Sequence, residues 1–181
     1  MNKVIVFVGM PGSGKSEITH MFESAGFVRL RFGDETDLEL KRRGLEINEK
    51  NEKFVREDLR KQKGMGAYAI LIWPRTSAAL EKGNVVLDGM RSYAEYAYLK
   101  ERLGDDMVVC FTFASPATRY SRLAKRKIRP LTKEECQSRD RSEIKDLDCG
   151  GPIAMADFVI SNEGSMEDME KSVKWLLEKV K

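Results

Sequence analysis

Hydrophobic and polar positions alternate in blocks along this chain. Five short stretches rich in Val, Ile, Leu and Phe recur at residues 4–8, 27–32, 84–88, 107–113 and 158–160. Each has the length of a strand, and the segments between them are predicted to be helical. Because strands of this kind that alternate with helices are typical of a parallel sheet covered on both faces, we predict a five-stranded parallel sheet in a three-layer α/β/α fold.

The segments between the strands predict the helices and their ends. Gly26 is expected to stop the first helix, and Gly44 to interrupt the charged second segment. Pro74 would kink or bound an apolar helix. Thr132 and Glu135 have the spacing of a capping box. The predicted helical residues are 16–25, most of 34–64, 67–80, 92–103, 116–125, 132–146 and 166–181.

Two irregular regions interrupt a single predicted domain, residues 1–181. Residues 34–64, here called the cap, are highly charged, and residues 119–132, here called the flap, are basic. Both follow the carboxyl ends of predicted strands, the edge at which open α/β sheets bind ligands. We expect the cap to be a helical insertion over a second substrate, although an exposed helical hairpin is the alternative.

A phosphate-binding motif, G-x-x-x-x-G-K-[ST], follows the first predicted strand and precedes the first predicted helix. Backbone N–H groups of such a loop and the helix dipole together form an anion site. Lys15 would reach the β- and γ-phosphates of a nucleotide, and the Ser16 hydroxyl would hold Mg²⁺. The predicted phosphate loop consists of Gly9, Met10, Pro11, Gly12, Ser13, Gly14, Lys15 and Ser16.

Asp88 ends the third predicted strand and is followed by Gly89. A carboxylate at this place can orient the water shell of Mg²⁺ bound at Ser16. Many ATP-hydrolysing motors have a Glu directly after this Asp, and the glycine favours transfer to a bound acceptor over hydrolysis. The alternative is that Asp88 is only a turn residue before glycine.

The flap contains a run of basic residues. Arg119, Arg122 and Arg126 have a spacing that predicts one helical face. Phosphoryl transfer needs positive charge around the moving group and exclusion of water, and a mobile Arg-rich flap would supply both. A solvated charged surface is the alternative.

Composition limits the classes of function. Hydrophobic residues make up 41% and charged residues 34%, a soluble globular profile, and 32 Lys and Arg against 29 Asp and Glu leave a net charge of +3. This near balance of charge does not by itself predict nucleic-acid binding. The apolar stretches are too short to span a membrane, and Gly9 and Pro11 interrupt any signal-peptide core. Three scattered cysteines and one histidine favour reduced thiols in a cytoplasmic protein over a zinc site.

Several of these motifs together resemble the nucleoside monophosphate kinases, especially adenylate kinase. The resemblance rests on the phosphate loop, on Gly33-Asp34, on Leu87-Asp88-Gly89-Met90-Arg91 and on the flap. Residues 156–165 resemble a strand and loop of dephospho-coenzyme A kinases. The arrangement is most similar to an archaeal family of adenylate-kinase-related proteins. This resemblance implies a P-loop NTPase fold, with ATP and Mg²⁺ as cofactors.

The resemblance also implies how an acceptor would be bound. Arg91 would hold the acceptor phosphate, and Asp34 would lie at the mouth of the acceptor pocket. This sequence departs from adenylate kinases at two positions: Asp37 replaces an arginine, and Met90 directly precedes Arg91 without an intervening proline. These departures concern the acceptor rather than the donor.

On the donor side, the resemblance assigns four further residues. Arg122 and Arg126 would clamp the transferring phosphoryl group, and Asn162 and the backbone near Gly164 would border the adenine of ATP. The predicted function is that of a small-molecule kinase with a nucleotide-like acceptor: AMP first, dephospho-coenzyme A second. An ATP-binding regulatory module with little turnover is the alternative, and RNA binding through the flap is a third. The sequence predicts no oligomeric state.

Overall fold

The computed structural model describes residues 2–127 and 129–180. The elements are β1 (Val4–Val8), α1 (Lys15–Ser24), β2 (Val28–Arg31), α2 (Asp34–Arg42), α3 (Glu49–Lys63), α4 (Ala67–Leu80), β3 (Val85–Asp88), α5 (Tyr93–Leu103), β4 (Met107–Phe113), α6 (Pro116–Ala124), α7 (Lys133–Lys145), α8 (Gly150–Ala154), β5 (Phe158–Ser161) and α9 (Met166–Val180). A short 3-10 turn, Gly104–Asp106, joins α5 to β4.

The five strands form one sheet in the order β2-β3-β1-β4-β5, and every pair is parallel. In the central strand, Val6 lies between Leu87 of β3 and Val109 of β4. The predicted five-stranded parallel sheet is therefore confirmed. The order places the ends of β1 and β3 side by side, and both ends carry residues of the predicted phosphate site.

Helices cover both faces of the sheet. Val4, Val6 and Val8 of β1 pack with residues of α2, α3, α4 and α5 in one core, and Ile5 and Phe7 pack with α1 and α9 in the other. All five side chains are fully buried. Burial of each such side chain stabilises the fold by about 1.5–3 kcal/mol. The two cores explain why β1 is apolar at every position.

Most predicted boundaries are confirmed. Gly26 and Gly44 have φ angles of 95° and 68°, which end α1 and α2. Thr132 and Glu135 form the expected capping box on α7. The last helix is observed to Val180, and Lys181 lies outside the described residues. Pro74 does not bound a helix, because α4 continues through it.

One helical expectation was wrong, and one helix was not predicted. The helix that starts at Pro116 ends at Ala124, within one residue of its predicted end, but Arg126 lies beyond it and does not share a helical face with Arg119 and Arg122. The sequence also gave no indication of α8, which begins with Gly150, Gly151 and Pro152. Ile128 of the flap is outside the described residues. Across residues 2–127 and 129–180, no helix is both long and apolar enough to cross a membrane.

Candidate functional site

The phosphate loop joins β1 to α1, and its glycines allow close approach of two other segments. A Cβ atom at Gly12, whose φ is 82°, would lie 2.9 Å from the carbonyl oxygen of Arg119. A Cβ atom at Gly14, whose φ is 96°, would collide with the side-chain amide of Asn162. Only glycine combines this backbone conformation with this space. The loop is thus braced from α6 on one side and from the loop after β5 on the other.

Lys15 lies along the inside of the loop. Its Nζ donates hydrogen bonds to the carbonyl oxygens of Gly9, at 2.7 Å, and of Met10, at 3.1 Å. The pKa of Lys15 is lowered to about 8, chiefly by burial; the Asp88 carboxylate opposes this shift and the nearby Arg91 guanidinium adds to it. The amine therefore lacks a close counter-ion, a condition that a bound polyphosphate would relieve.

Asp88 lies beside the start of α1, as predicted. Its Oδ2 accepts hydrogen bonds from Ser16 Oγ at 3.2 Å, from Thr19 Oγ1 at 3.3 Å and from Arg29 Nη2 at 2.7 Å. Arg29 extends from β2 and also donates from Nε to Thr19 Oγ1 at 2.8 Å. Within the described part of the chain, Oδ1 of Asp88 accepts no hydrogen bond.

These oxygens fit a hard cation. Ser16 Oγ and the unengaged Oδ1 of Asp88 are the kinds of ligand, direct or through water, that Mg²⁺ takes in nucleotide sites. Arg29 and Thr19 were not found by sequence reasoning. The one signal was a pair of arginines, Arg29 and Arg31, in a strand whose neighbours are apolar.

A cleft of about 440 Å³ opens above the phosphate loop, between the cap and the helices α6 and α7. Eight of its lining side chains are Lys or Arg and four are Asp or Glu. This excess of positive charge suits an anionic ligand. The lining residues are Gly9, Pro11, Gly12, Gly14, Lys15, Ser16, Glu17, Arg31, Phe32, Gly33, Thr36, Arg56, Arg60, Tyr68, Asp88, Gly89, Arg91, Glu95, Arg122, Arg126, Arg139 and Glu143.

Arg91 lines the cleft and is held at both ends. Its Nη1 lies 2.5 Å from Oε1 of the buried Glu143 on α7. Its backbone N–H donates to Glu95 at 2.8 Å, and Glu95 also forms the capping box of α5 with Ser92. Burial raises the pKa of Glu95, although the two backbone N–H groups oppose this. Arg91 is thus positioned in the cleft and paired with a carboxylate from α7.

Arg119 is a structural residue rather than part of a mobile flap. It is only 3% exposed and donates to the carbonyl oxygens of Ala114 and Pro11 at 3.2 and 3.1 Å. Its guanidinium also forms two hydrogen bonds with Asp140 of α7, at 2.9 and 2.6 Å. It therefore ties the phosphate loop to α6 and α7, and the expectation of a mobile Arg119 was wrong.

Arg122 and Arg126 both line the cleft, one from α6 and one from the loop after it. Arg122 Nη2 donates to Asn162 Oδ1 at 3.4 Å. Its Nη1 is buried and has no hydrogen-bond partner among the described residues. The structure thus brings both residues to the cleft above the phosphate loop, and Arg122 keeps one buried donor that no described residue satisfies.

Asn162 and Gly164 are not among the described residues that line the cleft. Asn162 is buried, and its Nδ2 donates to the carbonyl oxygen of Ser13 at 2.8 Å. Gly164 is exposed, next to the Ser165–Asp168 turn that begins α9. Because its amide is engaged by the loop, Asn162 braces the phosphate site rather than facing the cleft.

Asp34 is not among the described residues that line the cleft, although its neighbours Arg31 and Gly33 are, and its place at the mouth of the acceptor pocket stays a prediction. It contacts Arg31 at 3.3 Å and Arg75 of α4 at 3.6 Å. It lines a separate, open cavity of about 830 Å³ beside Asp37 and Ile47. Asp34 thus pairs with one residue of the cleft lining, Arg31, and with Arg75 of α4.

Three further residues line the cleft without having been assigned from the sequence: Arg56 and Arg60 of the cap, and Tyr68 of α4. Arg60 lies over the Tyr68 ring, with its Cζ 4.9 Å from the ring centroid. The Tyr68 hydroxyl is 2.7 Å from Thr36 Oγ1. The spacing of Arg56 and Arg60 on one helix was the available signal, but it does not separate a cleft face from a solvated one.

Comparison with known proteins identifies a domain family and several relatives of this chain. A family model described as AAA domain matches residues 5–146. A UPF0200 protein from Thermococcus gammatolerans is 37% identical, covering 98% of this chain and 95% of that protein. A UPF0200/UPF0201 protein from Archaeoglobus fulgidus is 36% identical over 98% of this chain and 56% of that longer protein.

Solved structures show the same architecture. Shikimate kinase from Acinetobacter baumannii has a TM-score of 0.62 and 18% identity, covering 99% of this chain and 93% of that one. Dephospho-CoA kinase from Campylobacter jejuni has a TM-score of 0.61 and 16% identity, covering 99% and 98%. The fold is that of the P-loop kinases. The chain belongs to the AAA domain family of P-loop NTPases and to the UPF0200 protein family.

Proposed function

We propose that this protein is an ATP-dependent kinase that transfers the γ-phosphoryl group to a small nucleotide-like acceptor. The observation that carries this proposal is the position of the phosphate loop. Lys15 and the Ser16–Asp88 pair form one wall of a cleft whose other walls carry arginines from the cap and the flap. Phosphoryl transfer depends on such positive charge around the moving group, with little covalent chemistry from the protein.

Each residue has a definite task in this reaction. ATP with Mg²⁺ would supply the phosphoryl group and neutralise part of its charge. The loop N–H groups and Lys15 bind the donor phosphates, Ser16 and Asp88 hold the metal and its waters, and Arg122 and Arg126 stabilise charge on the transferred group. A new bond forms between the acceptor oxygen and the γ-phosphorus. The bond to the bridging oxygen breaks, and its electron pair stays on ADP.

AMP is the first proposed acceptor. Arg91 lies in the same cleft as Lys15, where a guanidinium suits an acceptor phosphate. A phosphate acceptor has an ionised oxygen, so no proton has to be removed. Dephospho-coenzyme A is the second, supported by the resemblance of residues 156–165 and by the fold likeness to a dephospho-CoA kinase. There the hydroxyl proton would leave to solvent or to a nearby carboxylate.

A regulatory ATP-binding module is the second candidate function. Two observations favour it: Lys15 is bound to the loop's own carbonyl oxygens, and Arg91 is paired with Glu143. Both cations would have to be released for catalysis. Such a module would bind ATP with slow or no transfer.

An acceptor panel separates the two candidates. The protein is incubated with Mg·ATP and, in separate reactions, AMP, the other nucleoside monophosphates and dephospho-coenzyme A, and ADP formation is followed. The kinase proposal predicts ADP formation that depends on one acceptor class. Tight ATP binding with the same low ADP formation in every reaction would support the regulatory module instead.

A further inference from the structure

The acceptor side of the cleft contains a guanidinium without a protein partner. Arg60 extends from α3 into the cleft. Its Nε is buried, and the described residues offer that atom no hydrogen-bond acceptor. A buried donor without a hydrogen-bond partner destabilises the folded state, and native structures normally supply a partner from protein, water or ligand. Arg60 therefore has a capacity for hydrogen bonding that the folded chain does not use.

Tyr68 fixes the place of this guanidinium. The Arg60 Cζ is 4.9 Å from the Tyr68 ring centroid, a cation–π distance. Tyr68 itself is only 4% exposed and is held by the 2.7 Å hydrogen bond between its hydroxyl and Thr36. Because the ring contact engages no N–H group, it orients the guanidinium while leaving its donors available.

Neighbouring charges do not neutralise Arg60. Arg56, four residues earlier on α3, is different, because it pairs with Glu49 at 2.9 Å and Glu52 at 3.3 Å. The carboxylate of Glu95 attracts Arg60, but it already accepts hydrogen bonds from two backbone N–H groups. Arg91, which repels Arg60, has Glu143 as its own partner. A charged group in this place requires an external anion.

We infer that Arg60 and Tyr68 form an anion subsite that binds an oxyanion group of the acceptor, a phosphate or a carboxylate. This inference rests on the proposed function and narrows it. The acceptor is itself an anion, and neutral sugars and nucleosides are poor acceptors. The planar guanidinium of arginine presents a fork of N–H donors that fits both phosphate and carboxylate, so the same subsite could bind either group.

The Nε–Hε resonance of Arg60 is a direct probe of this subsite. Protein labelled with ¹⁵N and saturated with Mg·ADP, which occupies the phosphate loop, is titrated with inorganic phosphate, acetate, AMP and adenosine. The resonance is identified by its disappearance in Arg60→Lys. We expect it to shift saturably with AMP and with at least one of phosphate and acetate, and to stay unchanged with adenosine. The responses to phosphate and acetate show which oxyanion the subsite prefers.

Substitutions at Arg60 test the subsite through the affinity of the protein for AMP. Arg60→Met is expected to weaken AMP binding at least tenfold, and Arg60→Lys to weaken it less, because one charge remains. Lys61→Met is the control, since it removes an exposed positive charge from the same helix outside the cleft. Melting curves check that each variant is folded. An Arg60 resonance unmoved by phosphate, acetate and AMP, or equal AMP affinity in Arg60→Met, would overturn the subsite.

Failure of the subsite can be told apart from failure of the kinase proposal. If no acceptor is phosphorylated but Arg60 still binds oxyanions, the subsite stands and the kinase proposal fails. If Arg60→Met phosphorylates its acceptor with unchanged KM, the kinase proposal stands and the subsite fails.

Discussion

Lys15 is the residue whose charge state most directly reports on nucleotide binding. In the free protein its pKa is about 8, because the amine is buried beside other cations and bound to neutral carbonyl oxygens. A polyphosphate placed against this amine favours the charged form, so the pKa rises on binding. Nucleotide binding is therefore coupled to proton uptake above pH 8.

This coupling gives a testable pH dependence. At pH 8.5, Mg·ATP binding should take up roughly three quarters of a proton, since that fraction of Lys15 is neutral in the free protein. Affinity should fall as pH rises through 8, because the proton must be supplied. Calorimetric titrations in Tris and in Bicine, which differ in ionisation enthalpy, measure the uptake. Lys15→Arg, which stays charged, should show none; an uptake near zero in the wild-type protein would contradict the account.

Arg29 is the second residue whose role is decided by its surroundings. It forms a 2.7 Å ion pair with Asp88, and both side chains are about nine-tenths buried. Removing one partner of a buried pair leaves the other charge uncompensated. Arg29 also fixes which oxygen of Asp88 remains available for a metal.

Arg29→Met should lower the free energy of unfolding by about 3 kcal/mol, measured by urea titration. The double variant Arg29→Met/Asp88→Asn should recover at least about 1 kcal/mol of this, because no lone charge remains buried. Arg31→Met is a control on the same strand. Its ion pair with Asp34 is half exposed, so this variant should lower the free energy of unfolding by less than about 1 kcal/mol. A loss under about 1 kcal/mol for Arg29→Met would show that the pair is not needed.

At the scale of elements, helix ends decide which side chains reach the cleft. The capping box of Thr132 and Glu135 was predictable, because it depends on residues three apart. The end of α6 at Ala124 also lies within one residue of its predicted end, but the spacing of the arginines wrongly placed Arg126 on the same helical face. Arg126 reaches the cleft from the loop after α6, and Asp140 of α7 is the partner of Arg119.

The flap and the cap are joined by one arginine. Arg129 of the flap donates to Glu52 of α3 at 2.9 and 3.1 Å and to Glu49 at 3.3 Å. Arg129 lowers the pKa of Glu52 by hydrogen bonding and charge. The contact therefore links the flap to α3, whose Arg56 and Arg60 line the cleft.

Arg129→Ala should therefore loosen the flap from the cap, with little effect on stability. An exposed ion pair contributes about 0–1 kcal/mol, which corresponds to amide exchange up to about fivefold faster in the flap and in α3. Hydrogen exchange detected by mass spectrometry measures this rate. The melting temperature should change by no more than about 2 °C. Arg141→Ala, an exposed arginine of α7, is the control. Unchanged exchange in both segments would show that this contact does not hold the flap to the cap.

At the scale of the whole molecule, the parallel sheet assembles the site. Local patterns predicted the phosphate loop, the strands and Asp88, because each depends on a few consecutive residues. Arg29 meets Asp88 across 59 residues of sequence and Arg91 meets Glu143 across 52, so those contacts depend on strand order and helix packing. The same dependence pairs Asp34 with Arg75 of α4 and engages Asn162 with the phosphate loop.

The destination of the γ-phosphoryl group tests the central claim most directly. ATP labelled at its γ-phosphorus is incubated with Mg²⁺, AMP or dephospho-coenzyme A, and either the wild-type protein or Lys15→Met, and the products are separated. The account predicts label in the phosphorylated acceptor with the wild-type protein, and at least about a hundredfold less with Lys15→Met. Label that stays in ATP, or appears only as inorganic phosphate, would contradict it.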